Sequence, residues 1–196
     1  MKIILIFLFY SVSMLSSSNI PFGIKDLCSP KIDEEEFVAC FNDENKLKWI
    51  SYKFENYNLI HDIKNKNISD KFKIKTETGL DVLDIISYKK NNYSFLTSEL
   101  NLKNFNIVKE FIKNIGEENK KSLNVIEGLV YTENDIKFKI GKEYIYNPTH
   151  YFIIITNMTN KNIEKIFLLE LQKFNIIETD LNTIKKLSNI NFLFKL

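Results

Sequence analysis

The chain has no arginine; all 27 of its basic residues are lysines. Arginine is the usual bidentate reader of phosphate and guanine. Lysines can still track a nucleic-acid backbone, but a net charge of +2 without a basic block argues against that partner. Glycine is scarce, at five residues, and there is no phosphate-cradling loop, Rossmann fingerprint or Gly-x-Ser-x-Gly elbow. There are two histidines, His61 and His150, and two cysteines, Cys28 and Cys40, with no C-x-x-C or H-x-x-x-H spacing. No metal site or thiol redox centre is expected from them. Asp81 and Asp84 stand three apart in a strand-like run, so they face opposite sides and cannot work as a carboxylate pair. On these grounds the chain is not expected to be an enzyme and needs no cofactor. Alanine and glutamine each occur once, at Ala39 and Gln172, whereas asparagine, lysine and isoleucine abound. That skew suits AT-rich coding DNA, as in malaria parasites, and makes most surface lysines and asparagines poor evidence of function.

What is present is enough for one ordinary domain: 196 residues, of which 44% are hydrophobic. Residues 1–18 read as a secretory signal, with Lys2 at the start, an apolar run from Ile3 to Tyr10 and the small residues Ser16 to Ser18. No second stretch of about 20 apolar residues follows, so the mature chain from Asn19 is expected to have no integral membrane segment. In an oxidising compartment Cys28 and Cys40 suggest a local disulfide; two buried thiols are the alternative. Residues 19–45 read as an N-terminal arm with Pro21, Gly23, Pro30 and the acidic run Glu34 to Glu36, and 46–196 as the folded domain.

From there the text is strand-like. Trp49 to Phe54, Phe72 to Thr76 and Ile136 to Ile140 alternate in type, and Leu80 to Tyr88 is an apolar run after the turn signal Thr78-Gly79. Together they predict a meander of short antiparallel strands, in a sandwich or a barrel. Asn101 to Lys121 fits either helix or strand. His150 to Thr156 is apolar on both faces and should be covered on both sides. After it, Asn160 as cap and Ile163, Ile166, Phe167, Leu171 and Phe174 as a stripe predict an amphipathic helix.

Three segments resemble the lipocalin family, in particular bacterial outer-membrane lipocalins and apolipoprotein D. Phe41 to Phe54, with its aspartate-containing turn before Trp49, looks like the family's opening strand. Thr78 to Tyr88 resembles its B–C hairpin, and Tyr144 to Thr156 is similar to its closing G–H hairpin, continuing through Phe174 to Ile184. The chain departs from the pattern at Leu47, where the family has glycine, and at Asn157, where it has an arginine that stacks on the tryptophan. Between Asn91 and Lys142 it aligns in more than one register.

The resemblance implies a mostly β fold: an eight-stranded antiparallel up-and-down barrel with one C-terminal helix packed outside. It also implies a secreted carrier of one small hydrophobic ligand, such as a lipid, fatty acid or haem-like porphyrin. Trp49 would then form the cavity floor, and Tyr88, Tyr144, Tyr146 and Tyr151, each with an apolar face and a polar tip, are the candidate lining residues. Strict alternation conflicts with that place for Trp49, since it puts Ser51 and Lys53 on its side and Ile50, Tyr52 and Phe54 on the other. Either a bulge resets the register or the tryptophan lies beneath the barrel. The competing expectation is a secreted β-sandwich interaction or adhesion protein without internal ligand; a homo-oligomer is compatible with both. In an intracellular parasite, secretion would lead to the parasitophorous vacuole or a connected compartment. Sequons at Asn67, Asn92 and Asn157 arise about as often as chance allows in so asparagine-rich a chain.

Overall fold

The computed structural model describes residues 31–34, 36–44, 46–60, 80–88, 91–119, 123–132, 137–140 and 143–192. The proposed signal, Cys28, His61, Asn67 and the expected strand Phe72 to Thr76 lie outside the described residues. The framework is one antiparallel sheet made by β1 (Lys31–Asp33), β2 (Phe37–Phe41), β3 (Leu47–Lys53), β6 (Leu123–Val130), β9 (His150–Asn157), β10 (Ile163–Glu170) and β11 (Asn175–Glu178), side by side in that order. The order is sequential because the other elements are insertions. Between β3 and β6 come the one-turn helix α1 (Tyr57–Ile60), the hairpin β4 (Leu80–Tyr88) and β5 (Asn91–Ser98), and the long helix α2 (Glu99–Asn119). Between β6 and β9 comes the ribbon β7 (Lys137–Ile140) and β8 (Glu143–Tyr146). The two hairpins make separate two-stranded sheets, and the main sheet ends at β1 and β11 without joining them. It is therefore open, and among the described residues there is no closed eight-stranded barrel. The stretch from Lys31 to Phe41, within the expected arm, supplies the first two strands.

The predicted helix from Ile163 is instead strand β10. Its contiguous apolar residues satisfy a period of 3.6 as well as one of 2, and the sheet uses the latter. Ile166 and Leu168 pack on one face, Phe167 and Leu169 on the other. Asn160 caps a turn rather than a helix: its Oδ1 accepts the backbone N–H of Asn162 at 3.0 Å, beside Lys161 at a φ of 61°. The long helix arises from the ambiguous stretch, where Phe105, Val108 and Ile112 form the buried stripe of α2.

Both faces of the sheet are covered by the chain itself. On the first, Ile50, Tyr52, Val125, Ile153 and Leu169 meet α2, with Phe95 of β5 and Tyr57 and Ile60 of α1. At the far end of α2 a Cβ on Gly116 would enter the ring of Phe54, so glycine lets the helix approach that turn. On the second face Trp49, Ile126, Phe152, Ile154 and Leu168 are covered by Leu181 and Ile184 of α3 (Leu181–Ser188) and by Ile190 and Phe192. Asp180 caps α3, accepting the N–H groups of Asn182 and Thr183. β9 is buried from Tyr151 to Asn157, as its two-sided apolar sequence requires. One C-terminal helix does pack outside the sheet, but it is α3. No helix among the described residues is long and apolar enough to cross a membrane.

Candidate functional site

The residue that breaks the apolar pattern is Glu127. Strand β6 reads Leu-Asn-Val-Ile-Glu-Gly-Leu-Val, and alternation aims Leu123, Val125, Glu127 and Leu129 at the first face. Glu127 is 1% exposed, at the middle of the sheet beneath α2. Its diagonal neighbours are Tyr52, opposite Val125 on β3, and Tyr151, opposite Leu129 on β9. Side chains two positions off register on adjacent strands are within reach when long, and both phenols donate to the carboxylate: Tyr52 to Oε1 and Tyr151 to Oε2. Tyr57 comes in from α1, its ring 6.3 Å from that of Tyr52. Phe95 stacks on Tyr151 at 6.0 Å and Phe105 meets it edge-on at 5.1 Å. A carboxyl group thus lies inside an aromatic jacket, and burial of such a group depends on its hydrogen bonds.

Burial, followed by the field of Glu127, raises the pKa of Tyr52 and Tyr151 well above the usual phenol range. Tyr57 is raised in the same way, burial first and then Glu127. A phenol whose folded pKa exceeds its unfolded value stabilises the fold fully below about pH 10, and that contribution is lost as pH rises toward the folded value. We expect unfolding free energy, measured in urea, to fall steeply above about pH 10. Phenolate absorbance should show a step at the same pH as loss of near-ultraviolet circular dichroism, because these three rings ionise only as the core opens. A gradual phenolate rise with the core intact would contradict this placement.

Of the expected site residues whose side chains are described, Trp49, Tyr146 and Tyr151 do not share one site. Trp49 and Tyr151 lie on opposite faces of the sheet, so Trp49 is not the floor of a cavity that Tyr151 lines. Trp49 is 3% exposed among Val38, Cys40 and Phe152, and its indole N–H meets no hydrogen-bond partner among the described residues. The register conflict has a simple answer. A bulge between Cys40 and Phe41 passes over Lys48, and from Trp49 to Lys53 the strand alternates strictly, with Ile50 and Tyr52 on the first face. Tyr88 lies in β4 and Tyr144 in β8, where the strand pairing is what is described. Cys40 is fully buried on the second face, and its expected bond to Cys28 reaches outside the described residues.

Tyr146 belongs to a different cluster. The Lys46 ammonium sits 4.4 Å from its ring centroid and 5.3 Å from that of Tyr131, with a Glu44 carboxylate oxygen at 2.8 Å. The Lys46 side chain is only 11% exposed. This cation–π contact joins the β2–β3 turn to Tyr131, just after β6, and to Tyr146 of β8, rather than covering Trp49. At Asn157, the place of the lipocalin arginine, the amide donates to Glu164 at 2.9 Å, and 3% exposure leaves no room there for a glycan. His150 is half-buried against Thr149 Oγ1 at 2.9 Å, and burial lowers its pKa. Among the described residues no three His, Cys, Asp or Glu side chains gather as a metal group.

Two asparagines fix α2 over the first face. Asn101, itself buried, donates to Thr97 Oγ1 at 3.0 Å and to the Leu171 carbonyl at 2.9 Å; Asn104 donates to the Phe174 carbonyl at 3.0 Å. Sequence reasoning passed over Tyr52, Glu127, Lys46 and both asparagines. The available signal was the single carboxylate of β6, an ionisable residue in a strand otherwise suited to burial on both sides. No protein-family model matches this chain, and no curated protein matches it.

Proposed function

We propose that this is a non-catalytic binding protein that holds one small amphiphilic ligand between the sheet and α2, with the Tyr52–Glu127–Tyr151 cluster as its polar anchor. The observation that carries the reading is the buried carboxyl with two phenol donors in an aromatic layer. Binding sites for such ligands pair an apolar lining with a few placed polar groups. An anionic head against Glu127 would meet like charge, so a hydroxyl-bearing lipid suits the anchor better than a fatty-acid anion or a haem propionate. Covering a few hundred Å² of ligand at about 25 cal/mol/Å² leaves roughly micromolar affinity after association costs. Residues 1–18 would direct the chain to secretion, and in a parasite to its vacuolar compartments.

A second reading, an interaction protein with no internal ligand, is favoured by the exposed apolar residues Leu100, Ile107 and Phe174, at 65%, 47% and 45%. Calorimetric titration with a long-chain alcohol, a fatty acid and haemin separates the two. The carrier reading expects saturable binding of the alcohol, weaker binding of the other two, and loss of that preference in Glu127→Leu. No saturable heat with any of the three would leave the interaction protein.

A further inference from the structure

Among the described buried residues of α2, only Asn101 carries a polar side chain. It stands one turn before Phe105, in line with Val108 and Ile112, and is 1% exposed. Its amide nitrogen donates to Thr97 Oγ1 at 3.0 Å and to the Leu171 carbonyl at 2.9 Å, so both of its N–H groups are used. Its amide oxygen, Oδ1, is buried and meets no hydrogen-bond partner among the described residues. Turning the amide over brings no relief, because it would set that oxygen against the Leu171 carbonyl, which can only accept. A buried amide oxygen without a donor is costly and uncommon in folded proteins. This one lies in the first-face layer with Leu171, next to Phe95 and Phe105, the two rings packed on Tyr151.

We infer that Asn101 is a second polar contact of the ligand held beneath α2, accepting a hydrogen bond from a hydroxyl at the end remote from Glu127. The inference rests on the carrier reading and gives it a substrate class: a long, uncharged amphiphile with a hydroxyl at each end. The sheet sets the distance between those ends. Glu127 stands opposite Ile153, and the Leu171 N–H bonds to the Thr149 carbonyl at 3.0 Å. From β6 to β10 is two strands across, and from Ile153 to Thr149 is four residues along. At antiparallel spacings that is roughly 17 Å. An extended chain of about twelve carbons, at roughly 1.2 Å per bond, spans most of it. Because the Asn101 N–H groups are spent, a carbonyl, ether or methyl at the remote end leaves Oδ1 unmet. A site built to bond a hydroxyl discriminates strongly against an analogue that lacks one.

Calorimetric titration of the folded chain with dodecanediol bearing a hydroxyl at each end, with its monomethyl ether and with dodecanol tests this. The diol should bind about tenfold more tightly than either of the others, the effect of one hydrogen bond at a buried acceptor. In Asn101→Leu that advantage should vanish. The side-chain carbonyl carbon of Asn101, identified in the NMR spectrum by its loss in Asn101→Leu, should shift with the diol and stay in place with dodecanol. The three ligands on the wild type decide the matter even if Asn101→Leu, which also loses the bond to Leu171, fails to fold. Equal affinity for the diol and either analogue, or a diol advantage that survives in Asn101→Leu, would overturn the role of Asn101 and leave the carrier reading standing. Binding of none of the three would overturn both.

Discussion

Replacing Gly128 with alanine should cost about 2–3 kcal/mol of unfolding free energy, more than most single additions of a methyl group to a core. Gly128 stands opposite Trp49 on β3 and Phe152 on β9, on the face covered by Phe192. A Cβ there would enter the ring of Phe152 and come within 2.6 Å of the Lys48 carbonyl oxygen. The first collision can be relieved by a smaller side chain at 152, but the second cannot, because the carbonyl belongs to the backbone at the β3 bulge. Gly128→Ala measured alone and together with Phe152→Leu, by urea unfolding, should therefore show only partial rescue. Full additivity, with no rescue, would mean that Phe152 does not occupy the space over Gly128.

Tyr151→Phe should destabilise by about 2 kcal/mol and Tyr52→Phe by a similar amount, because each strips a donor from a buried carboxyl group. The double variant should cost less than the sum. Both phenols act on one carboxyl group, so once the first is lost its site is already loosened and the second loss is smaller. Glu127→Leu alone leaves two phenols short of an acceptor and should also destabilise. The triple change Glu127→Leu, Tyr52→Phe and Tyr151→Phe removes the whole polar cluster and should come close to wild-type stability or exceed it, since well-packed apolar replacements of buried polar groups often do. Such a result would say that the cluster is kept for something other than stability, as the anchor proposal requires. A triple variant far less stable than each single variant would make the cluster a structural element, and the anchor would lose its support.

The strands were legible where one period dominated. β3, β4, β7 and β9 occupy runs that alternate or that suit burial on both sides, and each was foreseen within a few residues. Where contiguous apolar residues satisfied both periods the reading failed at Ile163–Glu170. There β9, lying alongside, offered a complete ladder of backbone partners that an isolated segment does not reveal. α2 was ambiguous for a related reason: Phe105-Asn-Ile-Val reads as strand locally, and only packing of Phe105, Val108 and Ile112 on one face makes it a helix. Closure is a property of edges, and whether β11 finds another strand is not written in the residues of either.

The candidate site was less legible. Tyr151 was singled out for its amphipathic ring and does join the buried cluster. Trp49 was singled out for its rarity and its place in a lipocalin-like opening, yet one bulge decides the face on which it lies. Glu127 was overlooked because a lone carboxylate carries no spacing motif; its partners are 75 and 24 residues away in the chain.

By itself the order of residues settled the local choices: the two-sided burial of β9, the alternation of β3 and the absence of arginine and of glycine-rich cradles. These follow from short-range stereochemistry and from side-chain type, which need no knowledge of neighbours. The tertiary structure alone decided that the sheet is open among the described residues, that a helix covers each face, and that Tyr52, Glu127 and Tyr151 meet beneath one of them. Those outcomes depend on register between strands distant in sequence, where a shift of one residue exchanges the two faces.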